Sequence, residues 1–443
     1  MALNVLRGAR ERAIFQSPFD ERFRGAPRCA TRMTLDALPA VRPSTGSQSA
    51  SFAGGGNEPR IGIISLSVDT WGARWNSRHQ VLTRLARQFP VIWVNPAPEW
   101  RRAASIGRWT PRERTIDGLP NNFVVHDSST LTPIVYRPRW LSKALLRARL
   151  RRARASLIRR GCTQIVLYVW HVDYADAVSA LPSELSIYHI YDEYSHSEHE
   201  LPLDAAEERL VRSVGQVFTV SPTMQARKGV LNRHSTLISN GVDYDAFATP
   251  VPEPADIGAI PHPRLGYTGY VKKQIDWDML LELAHRRPDW SFVFVGARHV
   301  HPEIDAVLAR LDALPNVHFL GEKPTSELSR YPQHFDVCLM PYRVNDYTKY
   351  IYPLKLHEYL ATGRPIVSVP LPALHGAEHL VTIARGVDEW EQAIARQLEP
   401  AATDADRQRE RRAEARSHDW STIADRIATV IRERLAAREA GVP

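Results

Sequence analysis

The residues whose types and spacing are best suited to chemistry lie in Tyr352–Val369, where a lysine and a glutamate follow a predicted helix start. Pro353 suits a first helical position, because its missing N–H would have no partner there and its fixed φ is already helical. Apolar residues at helical spacing and a terminating glycine complete the pattern: Leu354, Leu356, Tyr359, Leu360 and Gly363. The unpaired backbone N–H groups at such a start bind phosphate. Lys355 and Glu358 would lie beside that anion on the first turns.

The secondary-structure elements around this segment belong to a long chain. At 443 residues the chain is long enough for two domains with full cores. Its 44% hydrophobic and 24% charged residues are ordinary for a soluble globular protein. No run approaches the roughly 20 apolar residues needed to cross a bilayer, and Leu3–Val5 is too short for the core of a secretory signal.

The cysteines indicate the cellular compartment of the protein, and the net charge indicates the chemical class of its partners. The three cysteines, Cys29, Cys162 and Cys338, are too widely spaced for a zinc cluster or a disulfide framework, which favours a reducing cytoplasm. The formal charge of +8 indicates an anionic partner, which is a nucleotide, a nucleic acid or a lipid surface.

The chain divides into four predicted parts. Residues 1–57 are rich in Arg, Ser, Ala, Gly and Pro without apolar periodicity, which predicts a disordered tail. Short apolar runs then alternate with helical patterns, as in parallel α/β sheets, over a first domain at 58–248 and a second at 249–415. The Pro-rich stretch 249–263 is predicted to link them, and residues 416–443 are predicted to form a final helix.

The predicted strands are short and apolar. They are Ile61–Leu66, Val91–Val94, Phe123–His126, Ile165–Val169, Ser186–Tyr191, Gln216–Val220 and Thr236–Ile238, then Arg264–Thr268, Ser291–Val295, Val317–Leu320, Val337–Met340, Pro365–Val369 and Val381–Ala384. The predicted helices are Arg78–Gln88, Ala205–Ser213, Asp276–His285, Glu303–Leu311, Thr325–Tyr331, Leu354–Thr362 and a charged helical segment, Ala401–Ala440. Two doubly wound domains with ligand space at their strand carboxyl ends would enclose a cleft between them.

Five segments in one order resemble the GT-B glycosyltransferases, in particular the retaining group 1 or family 4. They are Tyr191–Tyr194 with Val217–Pro222, Ser239–Phe247, Leu265–Gly269, Val317–Gly321 and the Tyr352–Val369 segment. The resemblance covers nearly everything from residue 60 to the end. It implies two Rossmann-like domains facing across a cleft, and a final helix that crosses back onto the first domain after the turn Ser417–Ser421. It also implies a nucleotide-diphosphate sugar as substrate, with no metal and no cofactor.

The resemblance assigns the donor to the second domain. Glu358 matches the acid that accepts hydrogen bonds from the ribose hydroxyls, a role that suits a carboxylate because it only accepts. The diphosphate would bind the backbone of Tyr352, Pro353 and Leu354, and Lys355 either steadies it or pairs with Glu358 at i,i+3. The remaining donor-side residues border the base and the phosphates: Gly269, Gly321, Glu322 and Lys323.

One expected acid is missing. Eight positions before Glu358 stands Tyr350, where the family places a glutamate that touches the transferred sugar. Asp346, Tyr347 or Lys349 either replaces it or belongs to an ordinary loop, so the identity of the sugar stays open.

Three further residues are candidates for catalysis. Lys272 and Lys273 follow the loop after the second domain's first strand, near the place where relatives neutralise the leaving diphosphate, although Tyr270 occupies the usual arginine position. His171 ends a strand and resembles a histidine that contacts the donor sugar; the alternative is a capping role for the helix that begins near Tyr174.

Residues at strand ends of the first domain are expected on the acceptor side. Trp71 and Trp75 either stack on a sugar ring or pack their loop, and Asp192 and Glu193 would line the cleft wall. His196 and His199 follow at a metal-like spacing, but a third ligand is not evident, so no metal site is predicted.

A basic stretch, 137–160, contains no acid. Leu141, Leu145 and Ala148 recur on one face, and Trp140 with the arginines would suit anionic lipid headgroups. The alternatives are a core-facing helix with a solvated basic edge, or nucleic-acid binding, against which the absence of a recognition motif argues.

The sequence therefore predicts an enzyme that moves a sugar from a nucleotide-diphosphate sugar to a saccharide or a polyprenyl- or other lipid-linked acceptor. The resemblance implies retained anomeric configuration, synthesis of surface polysaccharide or glycolipid, and a cytoplasmic location, peripheral on the inner face of the plasma membrane. The competing hypotheses are a nucleotide-sugar 2-epimerase and a catalytically silent nucleotide-sugar-binding relative.

Overall fold

The computed structural model describes residues 59–72, 75–101, 110–192, 205–299 and 301–441. The predicted tail at 1–57 and Glu193, His196 and His199 lie outside these residues. Within the described residues the chain forms two parallel-sheet α/β domains, as the alternation of apolar runs and helical patterns predicts.

The first domain is built on an eight-stranded sheet in the described residues, with strand order β3-β4-β2-β1-β5-β6-β7-β8. The strands are β1 Ile61–Leu66, β2 Val91–Val94, β3 Arg112–Thr115, β4 Phe123–Asp127, β5 Gln164–Val169, β6 Leu185–Ile190, β7 Gln216–Thr219 and β8 Ser235–Leu237. The helices are α1 Ser77–Leu85, α2 Arg139–Arg159, α3 Ala175–Ala180, α4 Ala205–Ser213 and α5 Pro222–Arg227. The central strands are buried on both faces, which explains their continuous apolar runs.

Strand β3 is a part of this sheet that the sequence did not predict. It pairs antiparallel with β4 at the sheet edge, and all four of its residues are exposed. Because Arg-Glu-Arg-Thr carries no apolar alternation, nothing in its composition marks it as a strand. Charged residues are common on an edge strand, where they discourage pairing with another chain.

The second domain has a six-stranded parallel sheet in the described residues, in the order β11-β10-β9-β12-β13-β14. Its strands are β9 Arg264–Thr268, β10 Ser291–Val295, β11 Val317–Gly321, β12 Val337–Met340, β13 Ile366–Ser368 and β14 Thr382–Ile383. Its helices are α6 Tyr244–Ala248, α7 Ala255–Gly258, α8 Trp277–Arg286, α9 Pro302–Asp312, α10 Thr325–Leu328, α11 Leu354–Thr362, α12 Gly386–Gln397 and α13 Ala405–Ser417. The strand order reverses beside β9, a switch point at which doubly wound sheets bind ligands.

The chain enters the second core ahead of the Pro-rich stretch. Val242, Tyr244 and Phe247 already pack in the second domain's hydrophobic cluster, and so do Ile257 and Ile260 from within 249–263. The stretch predicted as a linker is therefore anchored to the second domain by buried isoleucines.

The charged segment predicted as Ala401–Ala440 is two helices, α13 and α14 Trp420–Glu439, separated by a turn at His418 and Asp419. Asp419 accepts a hydrogen bond from the backbone N–H of Ser421 and so caps α14. Its apolar residues pack into the core of the first domain beneath β1, β2 and β5: Trp420, Ile423, Ala424, Ile427, Ala428, Ile431 and Leu435. The last helix thus returns to the first domain, as the GT-B resemblance implies.

The Ser239–Phe247 segment and the turn Ser417–Ser421 meet where the chain crosses back to the first domain. The backbone N–H of Val242 donates to the carbonyl of His418 at 2.9 Å, and the N–H of Trp420 donates to the carbonyl of Val242 at 3.0 Å. A Cβ on Gly241 would lie 2.6 Å from the His418 carbonyl oxygen, so only glycine permits this approach. The Ser239–Phe247 segment is therefore fixed at the crossing by its pairing with the turn before α14.

The basic stretch forms the long helix α2. Leu150, Ala153 and Leu157 pack against the sheet, whereas Ala148 is exposed and Leu141 and Leu145 are only half-buried. Leu141, Leu145 and Ala148 are therefore not the residues that hold the helix to the core, because only its C-terminal half lies over the sheet. No helix among the described residues is long and apolar enough to span a membrane.

Candidate functional site

Helix α11 begins beside the carboxyl end of β9, at the switch point of the sheet. Pro353 has φ −65° and ψ 126°, so it is the extended residue before the helix and not its first helical residue. No side chain caps the first turn, and the first backbone N–H groups are left for a ligand or water. At the other end Gly363, with φ 78°, closes the helix as predicted.

The C-terminal end of α11 is held by two arginines from α13 that the sequence analysis did not single out. Arg411 donates to the carbonyl of Gly363 at 3.1 Å, and Arg412 donates to the carbonyl of Thr362 at 2.9 Å. Positive charge at a helix C-terminus stabilises the dipole. These contacts fix the helix and therefore the position of its first turn.

Lys355 extends from the first turn of α11 to the end of β9. A Cβ built on Gly269 would lie 2.6 Å from the Lys355 Nζ atom, so the ammonium occupies the space that a side chain at 269 would need. The same Nζ lies 4.8 Å from the centre of the Tyr267 ring. Burial opposes the charge, but Tyr342, Tyr359 and Glu358 nevertheless raise the pKa of Lys355 above its ordinary value.

Glu358 lies one turn after Lys355 and is half-buried. Burial raises the pKa of its carboxyl group, and the nearby Lys355 charge only partly offsets the effect. Among the described residues its carboxylate makes no hydrogen bond and no ion pair. A carboxylate that is desolvated but unpartnered is available to accept hydrogen bonds from a ligand.

Glycines bring the ends of three neighbouring strands together beside this lysine. The N–H of Gly269 donates to the carbonyl of Val295 at 2.8 Å, and the N–H of Gly296 donates to the carbonyl of Gly321, also at 2.8 Å. A Cβ on Gly296 would lie 2.1 Å from the Gly269 carbonyl oxygen. Gly296 was not predicted as a site residue, although its place directly after the predicted strand Ser291–Val295 is a signal in the sequence.

The other predicted donor-side residues lie nearer the surface than Lys355 and Glu358, and two of them already contact a charged partner. Glu322 is exposed beyond Gly321. The ammonium of Lys323 is 2.7 Å from the Asp256 carboxylate, and Asp346 is an exposed residue 2.6 Å from the ammonium of Lys349. Asp346 therefore already has a charged partner of its own.

Tyr350 and Tyr352 both bind the first domain. Ser221 donates to the carbonyl of Tyr350 at 2.8 Å, and Arg227 donates to its hydroxyl at 2.7 Å. Asn240 donates to the carbonyl of Tyr352 at 2.8 Å. The segment that leads into α11 is thus attached to α5 and to the end of the first domain.

Behind α11 the Tyr352 hydroxyl lies 2.8 Å from His357 Nε2. His357 is buried and stacks on His418, with ring centres 3.9 Å apart. Burial and then the His418 charge lower the pKa of His357 well below its ordinary value, so this ring is neutral. The Tyr352 side chain therefore serves the packing of α11 against the crossing turn.

The predicted catalytic lysines lie on the loop after β9. The carbonyl of Lys272 accepts a hydrogen bond from the Trp277 indole at 2.9 Å, which fixes the loop to α8. The ammonium of Lys273 lies 3.9 Å from the Glu303 carboxylate. Lys355, and not either of these two, is the lysine that reaches Gly269 among the contacts of that glycine.

On the first domain, His171 caps a short 3-10 helix. Its Nδ1 accepts from the backbone N–H of Asp173 at 3.2 Å and lies 3.3 Å from the Asp173 carboxylate. His171 therefore makes a capping contact, although it caps the 3-10 helix Val172–Tyr174 and not the α-helix that begins at Ala175. Asp192, at the end of β6, is half-buried, while its neighbour Glu193 lies outside the described residues.

Of the two alternatives for Trp71, stacking on a sugar ring or packing its loop, the structure shows packing. Trp71 is only 6% exposed and packs against Trp93 and Phe123, with ring centres 5.3 and 4.7 Å away. It is a core residue because the loop after β1 folds back over the sheet. Trp75 is half-buried and stacks on the ring of His79 at 5.0 Å.

Arg78 is a charged residue at this edge that was predicted only as the start of a helix and not as a site residue. Its guanidinium is 2.5 Å from the Asp69 carboxylate and lies over the Tyr191 ring at 4.1 Å. Its Nε and Nη1 atoms are buried without a hydrogen bond. It links the loop after β1 to the end of β6.

Comparison with known proteins agrees with this geometry. Residues 262–400 match the family model described as glycosyl transferases group 1. The chain is 33% identical over 138 residues to TuaH of Bacillus subtilis (strain 168), which is named as a teichuronic acid biosynthesis glycosyltransferase. That match covers 31% of this chain, and it spans about a third, 34%, of the length of the relative.

Solved structures match over both domains. The structure of Anabaena Alr3699/HepE in complex with UDP and glucose has a TM-score of 0.60 at 15% identity, covering 85% of this chain and all of that one (100%). The α,α-trehalose 6-phosphate synthase of Burkholderia multivorans has a TM-score of 0.63 at 12% identity, covering 87% of this chain and 99% of that one. The chain therefore has the GT-B fold, and residues 262–400 of its second domain match the model of the group 1 glycosyl transferases.

Proposed function

We propose that this protein transfers a sugar from a nucleotide-diphosphate sugar to a saccharide or lipid-linked acceptor, with retention of the anomeric configuration, in the synthesis of a surface polysaccharide or glycolipid. One observation carries the proposal: the buried Lys355 ammonium and the unpartnered Glu358 carboxylate lie one turn apart at an uncapped helix start, beside the glycine ends of β9 and β10. A cation, an acceptor of hydroxyl hydrogen bonds and free backbone N–H groups are what a nucleoside diphosphate requires.

Each group at this helix start has a separate role in binding the donor. Lys355 and the N–H groups of the first turn of α11 hold the diphosphate, and their positive charge stabilises it as it leaves. Glu358 accepts the ribose hydroxyls and so fixes the nucleotide. The bond between the anomeric carbon and the phosphate oxygen breaks, a bond from that carbon to the acceptor oxygen forms, and the acceptor proton passes to the leaving phosphate. This chemistry needs no cofactor.

The relatives support the donor and product classes. The HepE structure holds UDP and glucose, and TuaH is named for teichuronic acid, a polysaccharide. Uridine-diphosphate sugars are therefore the first donors to test. Neither likeness specifies the acceptor of the present chain.

The test is a calorimetric titration of the full chain with a panel of uridine-, guanosine- and adenosine-diphosphate sugars, followed by transfer and hydrolysis assays with product analysis. Glu358→Ala should weaken donor binding by about tenfold or more, the loss expected when a charge-assisted hydrogen bond is removed. Glu433→Ala removes an exposed carboxylate of α14 and should bind like the parent.

Each competing hypothesis has its own result in these assays. Conversion of the donor sugar without an acceptor would identify a 2-epimerase, and tight binding without turnover would identify a silent relative. If no nucleotide binds and Glu358→Ala changes nothing, the donor site is refuted.

We further propose that the first domain contacts an anionic membrane surface. Trp140 is 70% exposed at the start of α2, beside the exposed Arg139, and Trp100 is 54% exposed at a helical position beside the exposed Arg101. Trp and Arg together suit the headgroup region. Much of the rest of the helix is structural, since Arg149 and Arg152 donate to backbone carbonyls of Thr132 and Pro111.

Flotation with vesicles of phosphatidylcholine and phosphatidylglycerol tests this surface. We expect binding at low salt that is lost at high salt and reduced by Arg139→Gln combined with Trp140→Ala. Arg426→Gln, an exposed arginine of α14, is the matched control. Absence of salt-sensitive flotation would refute the membrane proposal and leave the donor site unaffected.

A further inference from the structure

The first domain has a large cavity at the edge of its sheet opposite to the proposed donor site. Its volume is about 940 Å³, and its lining includes residues just before or at the starts of β6, β7 and β8, among them Ser186, Gly215 and His234. The end of α14 forms another wall. The donor residues lie at strand carboxyl ends, whereas this cavity lies at strand amino ends, so the two sites are distinct.

The cavity is lined by arginines whose charges are not neutralised. Arg233, Arg434 and Arg438 have no ion pair with a carboxylate in the part of the chain that the structure describes. Arg212, which also lines the cavity, differs because it is bound to Glu208 at 2.8 Å. Burial, and then the charges of Arg233 and Arg438, lower the pKa of Arg434. Three like charges around one space repel each other and favour a bound anion.

Two nitrogen atoms in the lining lack hydrogen-bond partners. Arg434 Nε and His234 Nε2 are both buried and unpaired. Burial and the charges of Arg434 and Arg233 lower the pKa of His234. Buried polar groups in folded proteins are nearly always paired, so these two atoms are left for a ligand or for water to pair with.

Hydrogen bonds within the protein fix the residues at the mouth of the cavity. Arg438 donates through Nη1 to the carbonyl of Glu184, and Arg233 is exposed at the rim. Asn232 donates to the carbonyls of Val211 and Val214 at 2.6 and 2.9 Å, which fixes the loop that carries Arg233 and His234. The charged groups are therefore positioned before a ligand arrives.

We propose that this cavity binds a small phosphorylated molecule, held by Arg233, Arg434 and Arg438, at a site separate from the donor site. Guanidinium groups match the oxygen geometry of phosphate. The volume lies within the range of about 300–1,000 Å³ in which small-molecule sites fall. A ligand there joins the end of α14, the helix that crosses between the domains, to the strands of the first domain.

The probe is inorganic tripolyphosphate, titrated calorimetrically into the full chain at low ionic strength, with hydrogen exchange resolved by peptide. We expect protection of residues 229–235 and 430–441. Arg233→Gln combined with Arg434→Gln should weaken binding at this site by about tenfold or more. Arg426→Gln makes the same charge change on an exposed part of α14 and should bind like the parent.

The Tm of the double variant shows whether the variant is folded. Without ligand its Tm at low salt should equal or exceed that of the parent, because a repulsion has been removed. Tripolyphosphate should raise the Tm of the parent and of Arg426→Gln more than that of the double variant. Equal affinity in all three proteins, or protection confined to residues 352–356, would overturn the proposal.

Discussion

The guanidinium of Arg227 donates a 2.7 Å hydrogen bond to the hydroxyl of Tyr350, and this contact joins the first domain to the second. The same guanidinium lies 5.2 Å from the centre of the Tyr350 ring. Tyr350 stands at the position where the family resemblance places an acid. In this chain its side chain is 7% exposed and contacts α5 of the opposite domain.

The Arg227–Tyr350 contact should contribute measurably to stability. A double-mutant cycle with Tyr350→Phe and Arg227→Met should give a coupling energy of about 1.5–3 kcal/mol, as expected for one hydrogen bond from a charged donor. Urea unfolding of the four proteins measures it. Strictly additive effects of the two substitutions would show that the hydrogen bond contributes nothing.

Glu358→Gln should separate stability from donor affinity. Because burial raises the folded pKa of this carboxyl group above its unfolded value, its stabilising contribution is complete at low pH and is lost as pH rises through the folded pKa. Glutamine stays neutral, so the variant should have the higher Tm at pH 7 and a similar Tm near pH 4. Its donor affinity should fall by about tenfold. Glu433→Gln, exposed on α14, should show neither change; a lower Tm for Glu358→Gln at pH 7 would contradict the assignment.

Lys355→Met should weaken nucleotide-diphosphate binding much more than it weakens nucleoside binding. The lysine neutralises the diphosphate, and the loss of a charged hydrogen bond corresponds to about 1.5–3 kcal/mol, or roughly tenfold to a hundredfold in Kd. Because its pKa is raised, the parent should keep this contribution through pH 9. Arg310→Met, an exposed cation of the same domain, is the control. Equal losses of affinity for a nucleoside and a nucleoside diphosphate would show that Lys355 does not bind the diphosphate.

Trp71 should behave as a core residue in mutagenesis. Trp71→Ala should destabilise the protein by about 3–5 kcal/mol, because it leaves a cavity among Trp93, Phe123 and His79. Trp71→Phe should lower the Tm less and leave the KM for the acceptor unchanged. A large rise in acceptor KM for Trp71→Phe at an unchanged Tm would restore the stacking hypothesis.

The sequence predicted the central strands and the donor helix well, because each carried a strong local signal. Leu354–Thr362 has apolar residues at helical spacing and a glycine at its end, and its bounds agree with the structure. Strand β3 escaped prediction, because an exposed strand such as Arg112–Thr115 has no apolar pattern. The division between α13 and α14 falls within the turn Ser417–Ser421 that the family resemblance implies, whereas the charge pattern alone gave one continuous helical segment.

What the sequence alone determined is the fold and the residues of the donor helix, since helix starts, glycine ends and buried strands are local properties of the chain. What only the tertiary structure decided is which distant groups meet. Lys355 reaches Gly269, Tyr350 binds Arg227 and Trp71 lies in the core because folded strands and helices bring together residues far apart in the chain. Side-chain type specifies what a residue can do, but its partners and its exposure are set by packing, and no spacing along the chain encodes them.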